Sequence, residues 1–445
     1  MTSRGALDYA STLAGRLRSS SLVRASGVYG VSTVLNRAIP FLLLPVLTRY
    51  LSPEDFGKAA MFAVAVSVTL PFIGVSTDSA IGRQYFDRDR IDFARYVTNC
   101  LYILATTAAA AFTVAVLLSG RIAAAIDLPS QWVWSIVLVA AARFVVNTVL
   151  TLWQVQHRTL PYAVYSLLLT ASTFALSLVF IVSLGFGWQG RVLGELLSVT
   201  ALAGGGAVLL WRGGWIRGGI DRGYIQHALK FSGWIIPHLC GSVLMTTVDR
   251  FFLTNMVGVG ETGLYTAAAQ IAAIVTVAAQ SFNLAWSPWA YERLKMNEPG
   301  AWRMLATVRR LYYAGVVVLA LGLAFVAPFL FGWLIGPRFT GAEKYALWLA
   351  LGQAFMAMYM IAVTPFFFAH KTHLLAIISL SIGVVSVVFN YALISLNGPI
   401  GAAQASALTM FTMFAVASPL AGRVMRELAD RSVPESGAEA IHVTR

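Results

Sequence analysis

The stretch LTRYLSPEDFG, residues 47–57, separates two long apolar segments near the start of the chain. The first segment runs from Gly27 to Leu47 and the second from Ala59 to Val75. Each is near the length of about 20 residues that a helix needs to cross a bilayer. The stretch between them carries charges, a Ser-Pro pair and a glycine, which favour a turn. The pattern therefore predicts a tight polar hairpin between two membrane-spanning helices.

The fixed residues of this stretch match a known pattern. The stretch resembles the first-hairpin signature of the bacterial polysaccharide (oligosaccharide) flippase family, which reads roughly L-T-R-x-L-x-P-x-x-[FY]-G, and every fixed position is filled here. That family belongs to the multidrug/oligosaccharidyl-lipid/polysaccharide transporter superfamily. The resemblance covers the hairpin alone and does not indicate the cargo. The rest of the chain is therefore interpreted from its own residues.

The composition excludes an ordinary soluble protein. Of the 445 residues, 58% are hydrophobic and only 11% are charged, and the mean hydropathy is +0.73. Soluble domains carry about 25% charged residues. The longest polar candidates for a soluble part are the arm to Ser26, the segment Tyr291–Arg310 and the tail after Arg423, and all are too short for a domain. The sequence therefore predicts an all-α polytopic membrane protein.

The hydrophobic segments predict about twelve transmembrane helices in two pseudo-symmetric six-helix bundles around a central cavity. The predicted domains are a cytoplasmic amphipathic or disordered arm (1–26), an N-terminal bundle (27–211), a cytoplasmic linker (212–230), a C-terminal bundle (231–422) and a cytoplasmic tail (423–445). The predicted spans are 27–48, 58–81, 96–119, 131–154, 162–184, 190–211, 231–255, 263–287, 311–335, 344–368, 373–395 and 400–422.

The net charge of +13 at pH 7 is unevenly distributed along the chain. With the N-terminus inside, the inner segments hold 23 Lys and Arg residues and the outer loops hold 6. Positive charge concentrates on the cytoplasmic side of membrane proteins, so both termini are predicted to be cytoplasmic. The basic charge is then explained by anionic lipid headgroups rather than by nucleic acid. Cys100 and Cys240 lie in apolar segments without metal-like spacing.

The chain also repeats itself at an offset near 200 residues, which predicts two parallel repeats related by an axis along the membrane normal. A substrate site would then lie in the cleft between the repeats. The matching pairs are residues 187–190 with 398–401, 157–159 with 370–372, Pro40 with Pro237, and Asp55-Phe56-Gly57 with residues 262–265.

Ionisable side chains inside spans are costly, and they usually face an aqueous cavity or a partner. Arg37 lies in the middle of the first span beside Asn36, and the alternatives are a cavity-lining anion-binding role or a buried structural pair. Arg143 lies in the middle of the fourth span, with cavity lining and an ion pair with Glu195 as its alternatives. The resemblance to the polysaccharide flippase family favours anion binding by Arg37, because in the related lipid II flippases a first-helix arginine lines a cationic cavity.

The remaining candidates lie nearer the ends of spans. Arg250 parallels Arg49 in the repeat, and each is predicted either to bind substrate or to reach the interface. Glu195, Asp249 and Asp78 are candidates for ion coupling, although a hydrogen-bonded carboxyl explains Glu195 equally well, and a local ion pair with Arg83 is the simpler account of Asp78. His238 follows Pro237 and is either a substrate contact or a structural residue.

The resemblance implies a flippase that moves a lipid-linked (polyprenyl-pyrophosphate) oligosaccharide from the cytoplasmic to the periplasmic leaflet by alternating access, for O-antigen, capsule or exopolysaccharide synthesis. The implied location is the bacterial cytoplasmic (inner) membrane. The implied partners are the lipid-linked oligosaccharide, membrane lipids, and polysaccharide polymerase and other assembly proteins. We expect no nucleic acid, no cofactor and no metal.

Alternatives remain at this point. An ion-coupled drug or metabolite exporter of the same superfamily usually carries acidic coupling residues, whereas Arg37 and Arg143 favour an anionic cargo. A polysaccharide polymerase or ligase usually has a long periplasmic loop, and the predicted outer loops are short. The chain lacks a Walker A loop, a Gly-x-Ser-x-Gly elbow and a zinc-ligand pattern, so we do not expect an enzyme. A scaffold for cell-envelope synthesis is a further alternative.

Overall fold

The computed structural model of the chain describes residues 21–233, 235–296, 301–369 and 371–431. Most of the predicted arm, residues 1–20, and the tail from residue 432 lie outside the described residues, as does His370 of the repeated His-Lys-Thr motif. The described part is helical, with short 3₁₀ and π turns. Its sixteen α-helices are α1 Ser21–Tyr50, α2 Pro53–Thr69, α3 Thr77–Gln84, α4 Phe93–Leu117, α5 Ser119–Ile126, α6 Val133–Val155, α7 Thr159–Leu178, α8 Trp188–Arg212, α9 Arg222–Gly233, α10 Ile236–Met256, α11 Val259–Met296, α12 Ala301–Leu334, α13 Ala346–Ala362, α14 Thr364–Phe368, α15 Thr372–Asn397 and α16 Ile400–Arg431.

Within the described residues, ten helices are long and apolar enough to cross a membrane. The number rises to twelve if each of two bent helix pairs, α2 with the helical turns up to Asp87 and α9 with α10, is one span. The prediction of an all-α polytopic membrane protein with about twelve spans is confirmed. The hydrophobic pattern predicts the spans correctly because an apolar segment in lipid must form a helix to satisfy its own backbone hydrogen bonds.

The segment Tyr291–Arg310, predicted as a polar loop, is mostly helical. Helix α11 runs from Val259 to Met296 and α12 from Ala301 to Leu334, and the residues between them lie outside the described ones. Arg293 and Arg303 therefore sit on helical turns that continue beyond the predicted spans. Hydropathy marks where a helix leaves the apolar layer, whereas the helix itself can continue into water.

The second span is broken near its middle. Gly74, Val75 and Ser76 all have positive φ, between +52° and +65°, and the helical segments Pro53–Thr69 and Ile73–Asp87 differ in direction by 59°. Left-handed backbone is unusual for a β-branched residue such as Val75. A Cβ on Gly74 would overlap the ring of Phe144, so glycine is required there both for conformation and for space.

The described residues of the first compact unit are 21–233, 235–243, 250–267 and 329–342. Its core contains Phe62, Val97, Val139 and Val199, which come from four different helices and are almost fully buried. Glycines bring α7 and α8 together, since a Cβ on Gly194 would overlap the Ser177 hydroxyl. Small residues at helix contacts are characteristic of membrane bundles, where backbones must approach closely.

The predicted linker 212–230 is tied to the first unit. The Thr98 hydroxyl accepts a hydrogen bond from the Arg217 backbone N–H at 2.8 Å. The fully buried Asn99 accepts one from the Asp221 N–H at 2.8 Å and donates one to the Gly219 carbonyl at 3.2 Å. These bonds satisfy backbone groups that have no helical partner. Residues 213–221 therefore form a strap held against α4, and helix α9 follows it.

The described residues of the second compact unit are 244–249, 268–296, 301–328, 343–369 and 371–431. One cluster is built largely from alanines, including Ala320, Ala350, Ala354 and Ala357, packed with Val275. A second cluster joins α14, α15 and α16 through larger side chains, and includes Phe366, Ile378, Met413 and Ala417. The Trp286 indole N–H donates to the Thr364 hydroxyl at 3.0 Å, which satisfies a buried polar group in this unit.

Candidate functional site

The hairpin at residues 47–57 begins helix α2 with a complete capping box. The Ser52 hydroxyl accepts from the Asp55 N–H at 3.0 Å, and the Asp55 carboxylate accepts from the Ser52 N–H at 3.3 Å. This exchange satisfies two backbone donors at the helix start. The other Asp55 oxygen accepts from the Trp188 N–H at 3.3 Å, so Asp55 also fixes the start of α8.

Other signature residues hold the hairpin to the segment 329–342 of the same unit. The buried Thr48 hydroxyl donates to the Leu44 carbonyl at 2.9 Å and accepts from the Gly336 N–H at 3.1 Å. Phe56 packs edge-on against Phe339, with ring centroids 5.6 Å apart. Such an aromatic pair contributes about 1 kcal/mol beyond the burial of area.

The signature glycine meets the start of α11. A Cβ on Gly57 would overlap the Val259 carbonyl oxygen, and a Cβ on Gly263 would overlap the Pro53 carbonyl oxygen. Gly57 and Gly263 are the glycines of two motifs paired in the sequence repeat. The repeated motifs therefore contact each other within the first unit, backbone against backbone.

Leu47, Leu51, Phe56 and Gly57 are buried, and Thr48 and Pro53 have the contacts above, so these signature positions have structural roles. Arg49 differs because its side chain is exposed and has no hydrogen bond or ion pair with another described residue. Its partner in the repeat, Arg250, lies over the ring of buried Tyr265, 5.5 Å from the ring centroid. The repeat pair therefore has two different environments.

The cation predicted in the middle of the first span, Arg37, lies in α1 and is exposed on the surface of the protein. It makes no ion pair with a described residue. Its neighbour Asn36 donates from Nδ2 to the Ser166 hydroxyl of α7 at 3.2 Å, and its buried Oδ1 has no partner in the described part of the chain. The structure thus anchors Asn36 and leaves the guanidinium beside it accessible.

Arg143 of α6 and Glu195 of α8 form an ion pair, with Nη2 2.5 Å from Oε1. This is one of the two alternatives predicted for Arg143. Arg191, one helical turn before Glu195, donates to the Ser177 hydroxyl at 3.0 Å and lies 4.3 Å from the centroid of the Phe174 ring. These residues form a polar cluster with two cations and one carboxylate inside the first unit.

Sequence reasoning missed Arg191, which lies at the start of the predicted span 190–211 and was counted only among the cations of the outer side. The structure places it in the first turns of α8, on the same face as Glu195. The spacing of four residues between Arg191 and Glu195 was the available signal. The signal was overlooked because a cation in the first residues of a span can reach the membrane interface without a partner inside the bundle.

The other predicted site residues are scattered. Asp249 is buried near the end of α10 and Arg250 follows it, while His238 is exposed near the start of the same helix. Asp78 lies in the first turn of α3, just after the break in the second span. The expected ion pair of Asp78 with Arg83 is not formed, because Arg83 pairs with Asp87 at 2.8 Å.

The fold places the chain in a class of known membrane proteins. An inward-facing multidrug resistance MATE family transporter of the MOP superfamily superposes with a TM-score of 0.71 at 15% identity, covering 90% of this chain and 96% of that protein. The lipid II flippase MurJ in an inward closed conformation superposes with a TM-score of 0.71 at 13% identity, covering 90% and 89%. These similarities establish the fold.

The sequence profile of the family described as "Polysaccharide biosynthesis protein" matches residues 22–292, more than half of the chain. The chain belongs to this family. A relative from Haemophilus influenzae, described as an "Uncharacterized membrane protein", is 25% identical over 369 residues, which are 79% of this chain and 85% of the relative. The family predicted from the first hairpin is confirmed by a match that extends far beyond it.

Proposed function

We propose that the protein is a flippase that moves a lipid-linked (polyprenyl-pyrophosphate) oligosaccharide from the cytoplasmic to the periplasmic leaflet by alternating access. The family is one of polysaccharide biosynthesis, and the fold is shared with a lipid flippase and with multidrug transporters. The lipid tails remain in the bilayer, while the charged and sugar parts cross through a hydrated path. The product supplies the assembly of O-antigen, capsule or exopolysaccharide, where a polymerase is the expected partner.

Arg37 is the observation that supports an anionic cargo. It lies within the candidate span Gly30–Tyr50, seven residues or about 10 Å from Gly30, too far from the ends to leave the apolar layer easily. An arginine near the middle of a bilayer costs about 3 kcal/mol on insertion scales. A guanidinium is planar, stays ionised and can donate two parallel hydrogen bonds to phosphate oxygens. Binding of an anionic cargo would therefore explain why an arginine is kept at this costly position.

The rival exporter function has weaker support. Such exporters couple transport to acidic residues, and one of the two buried acidic candidates, Glu195, is already paired with Arg143. The membrane-enzyme rival requires catalytic groups in a long outer loop. The described connections on the predicted outer side, such as residues 51–52 and 184–187, are short. We therefore propose transport rather than group transfer.

Reconstituted flipping tests the proposal. Purified protein is placed in vesicles containing a fluorescent polyprenyl-pyrophosphate disaccharide, and a membrane-impermeant quencher reports the fraction in each leaflet. The flippase is expected to equilibrate the two leaflets, whereas protein-free vesicles and vesicles with heat-denatured protein should not. A native preparation that leaves the leaflet distribution unchanged, yet expels a cationic dye against a proton or sodium gradient, would establish the exporter instead.

The orientation is also proposed, with both termini in the cytoplasm of an inner-membrane protein. In a variant with Cys100 and Cys240 replaced by alanine, an added Glu54→Cys should react with an impermeant thiol reagent from the periplasm. Glu54 is exposed in the hairpin and is therefore accessible. An added Arg88→Cys should react only after the membrane is permeabilised. Reversal of the two results would contradict the distribution of positive charge as an orientation signal.

A further inference from the structure

The cluster of Arg143, Arg191 and Glu195 has an arrangement that simple structural pairing does not require. Glu195 is nearly buried, with 10% of its side chain exposed, and both arginines contribute to its electrostatic environment. One arginine would be enough to neutralise one carboxylate. The second leaves a net positive charge within a candidate membrane span, where charge is costly.

Arg143 is the accessible member of this cluster. Its guanidinium contacts Glu195 at 2.5 Å, but 39% of its side chain is exposed. Its Nε–H is buried and has no partner among the described residues. An arginine has five N–H donors in a planar fork, so several donors remain for an oxyanion. Arg143 can therefore reach a ligand from its exposed side, in competition with Glu195.

Arg191 is the anchored member. Its Nη1 donates to the Ser177 hydroxyl, which itself donates to the Thr173 carbonyl at 2.6 Å, and the Phe174 ring lies against the guanidinium. The close approach of α7 and α8 at Gly194 fixes Ser177 in this position. Arg191 still has donors to spare, and Glu195 is one helical turn away on the same face. Arg191 can donate to the Glu195 carboxylate while it keeps its hydrogen bond to Ser177.

If an anion bound Arg143 and Glu195 had no other cation, a buried carboxylate would lose its partner, which is strongly unfavourable. We infer that Glu195 exchanges between two arginines: it pairs with Arg143 in the empty protein, and when the pyrophosphate of the cargo binds Arg143, the carboxylate pairs with Arg191. Arg191 is a positioning residue that makes Arg143 available. This inference rests on the proposed function, since it requires an anionic cargo.

Equilibrium binding tests the exchange in the full-length protein in lipid nanodiscs, with a fluorescent polyprenyl pyrophosphate as the probe. Glu195→Gln removes the competitor and should tighten binding about tenfold. Arg191→Gln leaves Glu195 on Arg143 and should weaken binding about tenfold. In the Glu195→Gln background, Arg191→Gln should have no further effect, because the two residues act through each other. Arg121→Gln, which removes an exposed cation of α5, should leave binding unchanged.

The background dependence distinguishes positioning from a structural role. An equal loss on Arg191→Gln in both backgrounds would overturn the exchange, as would weaker binding by Glu195→Gln. Arg191→Lys keeps the cation and should retain most of the affinity of the native protein. If Arg191→Gln does not fold, Arg191→Lys replaces it in the test, and its smaller loss of affinity must likewise disappear in the Glu195→Gln background. A native protein that does not bind the probe refutes the proposed function and the exchange with it, whereas binding without the coupling refutes the exchange alone.

Discussion

Gly263→Ala is expected to destabilise the protein severely and to abolish its function. A Cβ at this position would overlap the carbonyl oxygen of Pro53, lie 2.7 Å from its carbonyl carbon and lie 3.0 Å from the backbone nitrogen of Gly57. Every obstructing atom is backbone, so no side-chain rotation can relieve the overlap. Overpacking costs about 1–3 kcal/mol when side chains can adjust, and a larger cost is expected here.

A neighbouring glycine provides the control. Gly260 lies three residues earlier in α11, and nothing lies within 4 Å of the position where its Cβ would be. Gly260→Ala is expected to be neutral or slightly stabilising, since alanine favours a helix by about 1 kcal/mol over glycine. Gly57→Ala should resemble Gly263→Ala, because its Cβ would overlap the Val259 carbonyl oxygen.

The measurements are the thermal unfolding temperature in detergent and the amount of protein in the membrane. If Gly263→Ala and Gly260→Ala had equal unfolding temperatures and equal activity, the close backbone crossing at Gly57 and Gly263 would be wrong. If the Gly263→Ala protein folded normally but had no activity, the close backbone crossing would instead be required for transport rather than for stability.

Arg37→Ala is expected to abolish flipping while the protein still inserts and accumulates normally. Removing one partner from a charge-assisted contact with a phosphate costs about 2–5 kcal/mol, and about 1.4 kcal/mol is a factor of ten. The exposed Arg37 has no ion pair with a described residue, so its removal should cost little stability. Arg37→Lys should retain part of the activity, since the charge remains but the paired donors are lost.

Polymer production in a strain lacking its own flippase measures this effect, with protein levels checked by immunoblot. Arg303→Ala removes an exposed cation of α12 outside the predicted spans and serves as the matched control. Full complementation by Arg37→Ala at normal protein level would refute a role in cargo binding. Disappearance of the Arg37→Ala protein would instead support a structural role for Arg37.

The number and type of spans followed from the sequence because both depend on local physics. A segment of about 20 apolar residues must be a helix in lipid, whatever its neighbours are. The hairpin between the first two spans was predictable for the same reason, since the capping residues Ser52 and Asp55 act within four positions of each other. Hydropathy could not locate the break at Gly74, because hydropathy reports which residues prefer lipid and carries no information on the direction of the backbone.

The pairing of Arg143 with Glu195 was one alternative open to sequence reasoning, because charges inside spans are few and need partners. The place of Arg191 was not predicted, because its contact with Ser177 depends on the packing of α7 against α8. The strap formed by residues 213–221 was also missed, since its bonds to Thr98 and Asn99 join residues far apart in the chain.

The roles of the signature residues were decided by tertiary structure. The sequence places Thr48 and Gly57 in the hairpin signature and pairs Gly57 with Gly263 in the internal repeat. It does not show what these residues contact. Thr48 bonds to Gly336, 288 positions along the chain, and the two glycines meet each other's backbones. Composition determines which segments enter the membrane, because transfer into lipid depends on each segment alone. The contacts between those segments depend on backbone shape at distant positions, which folding alone brings together.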